Sequence, residues 1–128
     1  MTTRDIESHL DVAQSLVPLR RTATGTGAGV DLQGYDSAMA VFDAGLWVDG
    51  THTPELQDSA DGTTFAVTTA IQGSFAAVVG TATDNIVQRV GYTGAKQYLR
   101  GFVTVAGATT GADYGFAIVR GNAHRQPL

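Results

Sequence analysis

Apolar and polar residues alternate along most of this chain with a period of two, the spacing that places every second side chain on one face of a β-strand. In "KQYLRGFVTV", Leu99, Val103 and Val105 fall on one face, and Lys96, Tyr98, Arg100, Phe102 and Thr104 fall on the other. The first face reads as core. The same period, punctuated by Gly, Thr, Asp and Asn, predicts a strand in "SAMAVFDAGLWV" (37–48), bent at Gly45, and strands in "PELQDS" and "TTFAVTTA" on either side of Ala60-Asp61-Gly62. It predicts further strands in "FAAVVG", "NIVQRVGY", "KQYLRGFVTVAG" and "DYGFAIVRG". Asp61-Gly62 supplies the positive φ of a tight hairpin, and "AGATTGA" reads as a hairpin loop turned at Gly107 and Gly111. Strands this short and this evenly spaced predict an all-β single domain, a β-sandwich or barrel of about seven strands.

The first thirty residues follow a different pattern. Ile6, Leu10, Ala13 and Leu16/Val17 have helical spacing, yet "DVAQSLVPLRR" also alternates well enough for a strand ending near Pro18, and the pattern leaves both open. "RRTATGTGAGVD" reads as a Gly/Thr-rich linker. Residues 1–30 are therefore expected to form an extended or short-helical N-terminal arm with its linker. Residues 31–128 would form the β domain, closing in the short polar tail "NAHRQPL".

Composition narrows the functional classes. Charged residues make up 16% of the 128, against an ordinary share of about 25%, so the surface is neutral enough to be buried against a partner. The net charge is −4 and the eight Lys and Arg are scattered, which argues against direct nucleic-acid binding. The chain has no cysteine, which removes disulfides, thiolate metal sites and cysteine nucleophiles together. With no basic start leading into an apolar run and no 18-residue apolar window, the expectation is a soluble product of the cytoplasm without a membrane partner.

Catalytic and metal-binding patterns are missing. His9, His52 and His124 fall in the arm, a loop and the tail. "DGTHTPELQDSADG" gathers Asp49, His52, Glu55, Asp58 and Asp61 but lacks the fixed ligand spacing and closing glutamate of an EF-hand. "GTGAGVD" has no lysine to complete a phosphate-binding loop, and Ser37, Ser59 and Ser74 have no nucleophile-elbow context. The expectation is a binding or architectural protein, with no catalytic residue and no cofactor. Its candidate interface is Lys96, Tyr98, Arg100 and Phe102, two cations and two aromatics on one strand face, although an ordinary exposed strand face shows the same pattern. A competing reading is a carbohydrate-binding sandwich that stacks sugars on Trp47, Tyr35 and Tyr92.

Three stretches in order, "GTGAGVDLQGYDSAMAVFDAG", "DGTHTPELQDSADGTTF" and "RVGYTGAKQYLRGFVTVAGATTGADYGFAIVRG", resemble the small virion structural proteins of tailed bacteriophages and prophages. The resemblance covers about residues 25–127, and it lies in the order of the elements. The family pattern has Arg-Tyr where this chain has Gln97-Tyr98, which leaves one interface cation absent or replaced by Lys96. The resemblance implies a virion component made in the bacterial host cytoplasm, most plausibly a capsid decoration (cement) protein on the capsid surface with the major capsid protein as partner. It further implies a homo-oligomer, a trimer slightly ahead of a dimer. A head–tail connector or tail component is the alternative within the same class.

Overall fold

The computed structural model describes residues 5–123, so His124 and most of the predicted tail lie outside it. After a single turn of 3-10 helix, Glu7–His9, the chain runs through ten strands. They are β1 (Leu10–Arg21), β2 (Gly25–Thr26), β3 (Val30–Asp31), β4 (Tyr35–Trp47), β5 (Thr51–Ser59), β6 (Ala66–Val67), β7 (Ile71–Gln72), β8 (Val87–Tyr92), β9 (Tyr98–Ala106) and β10 (Ala112–Ala123). One sheet has the order β1-β10-β4-β8-β7. The other has the order β2-β9-β5-β6, with β3 also paired to β9, and all the pairings are antiparallel. The molecule is an all-β sandwich.

The strand count exceeds the seven expected because β1 and the two-residue pairings β2, β3 and β7 lie outside the seven counted, β2 and β3 against the distant β9 and β7 against the following β8. "FAAVVG" does not form a strand; only Val78 makes an isolated bridge, to His52. "TTFAVTTA" contributes just Ala66–Val67. Residues 1–30 are not an arm over their described length. β1 pairs with β10 from Leu10↔Gly121 to Arg21↔Ala112, and the Gly/Thr-rich stretch after it lays β2 and β3 against β9. β4 is irregular near Gly45, as expected, where its register against β10 shifts.

Alternate residues of β9 and of the middle of β4 enter one core. Phe42, Leu99, Val90, Val103, Val78 and Ile118 are wholly buried. The Phe42 ring lies 5.0 Å from Phe116, 5.3 Å from Tyr114 and 6.2 Å from Phe75, in the tilted and edge-on arrangements that aromatic quadrupoles favour. Gly101 lets β9 approach this cluster, since a Cβ there would press into the Phe116 ring. Ser15 ties the sheets together: its Oγ donates to the Ala28 carbonyl (2.8 Å) and accepts from the Gly101 amide (3.0 Å).

Candidate functional site

β9 runs through the middle of its sheet and sorts its side chains by parity. Leu99 and Val103 point inward at 0% exposure, while Tyr98, Arg100 and Phe102 are half-buried on the outer face. The Arg100 guanidinium lies 4.1 Å from the Phe65 ring centre and 6.0 Å from that of Phe102, and its Nε donates to Gln57 Oε1 at 2.7 Å. Tyr98 supports the loop after β5, because a Cβ on Gly62 would stand 3.1 Å from its ring. Burial raises the Glu55 carboxyl, directly across from Phe102, above its ordinary value. This face is therefore a cation–aromatic stack roofed in part by residues 60–65 of the same chain.

Lys96 is not on that face. β9 begins at Tyr98, and Lys96 sits in the preceding loop, where its Nζ lies 3.6 Å from the buried carboxylate of Asp58 and its amide donates to the Tyr92 hydroxyl at 3.1 Å. Tyr92 in turn donates to Asp58 at 2.8 Å. Of the four candidate residues, the structure brings Tyr98, Arg100 and Phe102 together and places Lys96 at the end of the sandwich.

The three aromatics of the sugar-binding reading do not form a platform. Tyr35 and Trp47 are the first and last residues of β4, at opposite ends of the molecule. Tyr35 and Tyr92 both line an open cleft of about 480 Å³, together with Gln33, Asp36, Lys96 and Gln97. However, Arg120 stands 4.7 Å from the Tyr35 ring centre, and Trp47 Nε1 donates to the Gly50 carbonyl at 2.8 Å.

The sequence did not mark His52 as a placed residue, yet it is wholly buried in β5. Its Nε2 lies 2.9 Å from the Asp49 carbonyl, which can only accept, so Nε2 carries the proton and Nδ1 accepts from the Tyr114 hydroxyl at 2.9 Å. Burial pushes the Tyr114 hydroxyl up to about 12. The Asp49 carboxylate accepts the amides of Thr109, Thr110 and Gly111, the last at 2.6 Å, and these bonds hold it below the usual carboxylate range. Asp61 does the same within its own loop: amides of Thr64 and Thr63 and the Ser59 hydroxyl bring it to about 2. The strand alternation could have found His52, which shares a parity with Leu56. The acceptor role of Asp49 depends on a loop sixty residues away and leaves no local signal.

Among the described residues no group of three or more His, Cys, Asp or Glu side chains is placed to share a metal ion. No described helix is long and apolar enough to cross a membrane. Compared with protein-family models, curated proteins and solved structures, the chain finds no match.

Proposed function

We propose that this chain is a structural protein of a tailed-bacteriophage virion, a capsid decoration protein that binds the assembled head and reinforces contacts between subunits of the major capsid protein. The observation that carries the reading is what the polar residues of the family-like motifs do here. Asp49 of "DGTHT" clamps the β9–β10 loop, Ser59 and Asp61 of "DSADGT" fix the loop over Tyr98, and Tyr92 of "VGY" holds the Lys96 backbone. Each of these residues preorganises a loop by bonding backbone amides, as suits a rigid docking body.

The mechanism is mass action. A ligand that binds only the assembled shell stabilises it by about 2.7 kcal/mol per site at 100 times its dissociation constant, and repetition over a shell makes modest affinity sufficient. The outer face of β9, with Tyr98, Arg100 and Phe102, has the Tyr and Arg that dominate such contacts. The test is the copy number in purified particles, measured against the major capsid protein. Hundreds of copies support decoration, about a dozen or fewer support the connector or tail alternative, and none overturns the virion reading.

A further inference from the structure

The outer face of the β1-β10-β4-β8-β7 sheet is apolar where a solvated sheet face is ordinarily polar. Reading across the register, Val12 lies beside Val119 and Val119 beside Met39; Ala117 lies beside Val41. All share the outward parity, opposite to Ala40, Phe42, Phe116 and Ile118 in the core. Val12 and, further along on β8, Val87 are 62% and 65% exposed. Pro18 folds over Gly115 at the β1 irregularity, so that Val12, Gln14, Pro18, Val41, Asp43, Gly115 and Ala117 border a groove of about 380 Å³ beside the Val12 ridge. A ridge next to a groove is a shape able to receive a copy of itself.

Four charges lie on this face: Arg20 and Asp113 pair with each other at 2.8 Å at its β1–β10 end, which leaves Asp43 on β4 and Arg89 on β8. The pairs Asp43↔Val87 and Val41↔Arg89 make them diagonal neighbours, and both are exposed. Among the described residues neither side chain makes an ion pair or hydrogen bond. One carboxylate and one guanidinium, unpaired within an apolar field, are the charges that a two-fold axis satisfies reciprocally.

We propose that the outer face of this sheet is a homodimer interface, in which a second copy packs face to face about a two-fold axis and Asp43 of each subunit meets Arg89 of the other. The inference does not rest on the virion reading. A face four strands wide and about five residues long has a footprint on the order of 400 Å² per subunit, about half that of a standard interface, so the dimer belongs to the weak, micromolar class.

Sedimentation of the purified chain from about 1 to 300 μM tests this. A monomer–dimer equilibrium is expected. Asp43→Arg and Arg89→Asp should each weaken it about ten-fold or more, because each puts like charges together, with circular dichroism unchanged. Mixing the two single variants should restore association, since one then carries two cations and the other two anions at the reciprocal positions. Val41→Asp should abolish it. A chain monomeric throughout the range, a closed trimer, or a dimer indifferent to these substitutions would each overturn the proposal. So would charge variants that weaken association without recovering on mixing, because a charge pair within one subunit gives that result.

Discussion

Asp49 is a loop carboxylate by sequence and a clamp by geometry, and its titration has a direction that follows from that. Asp49 and Asp61 are both held below the usual carboxylate range by amide hydrogen bonds, Asp61 at about 2. A depressed folded value means that the stabilisation is present above the unfolded value near 4 and is lost as pH falls towards 2. Both groups are solvent-accessible, so the effect is a modest slope in melting temperature over that window, and Asp49→Asn or Asp61→Asn should each flatten it. Tyr114 has the opposite sign: its raised value, about 12, favours the neutral phenol, and the benefit is lost as pH climbs from about 10 to 12. Tyr114→Phe should remove that alkaline limb. At neutral pH it should also cost about 1–3 kcal/mol in chemical denaturation, because His52 Nδ1 is left buried without a donor.

At the scale of elements, two glycines separate backbone strain from packing. Gly62 has φ +78° and lies against the Tyr98 ring, so Gly62→Val should destabilise by about 1 kcal/mol or more through a conformation that a β-branched residue avoids. Gly101→Ala adds a methyl that meets the Phe116 ring, an overpacking cost of about 1–3 kcal/mol or more, and an unchanged urea midpoint would show that the sheets can slide apart to admit it. The strands with regular alternation were legible in the sequence: β9 reads correctly to the level of which side chains enter the core. β1 was not, because its register against β10 shifts between Gln14 and Leu16 and again before Leu19, and consecutive Ser15 and Leu16 are both buried. Irregularities of that kind erase the period of two and leave a pattern that helix and strand fit equally. "FAAVVG" failed for the converse reason: Val78 is buried and apolar, but the backbone of Ala76 and Val79 bonds the side chains of Gln88 and Thr83 in place of a neighbouring strand, and hydrophobicity alone does not carry a ladder. For the candidate face, alternation grouped Lys96 with Tyr98, Arg100 and Phe102, but the strand begins at Tyr98 and the grouping holds only from there.

For the whole molecule, the sandwich presents two outer faces of different chemistry, and the two proposals assign them different partners. The apolar face, with Asp43 and Arg89, is read as meeting a second copy; the cation–aromatic face, with Tyr98, Arg100 and Phe102, is read as meeting the capsid. The double substitution Tyr98→Ala with Arg100→Ala separates these roles. The inward residues of the same strand, Leu99 and Val103, remain wholly buried, so the β core should persist and self-association through the opposite sheet should be unchanged. Loss of the Phe65 and Gly62 supports should loosen residues 60–65, visible as faster amide exchange in that loop alone. Binding to particles that lack this protein should fall by about thirty-fold or more, the equivalent of about 2 kcal/mol for a hot-spot Tyr or Arg. If particle binding survives while the loop loosens, these residues serve the fold of their own chain alone, and the capsid contact must lie elsewhere. If self-association falls as well, the two faces are not independent, and the division of labour between the sheets is wrong.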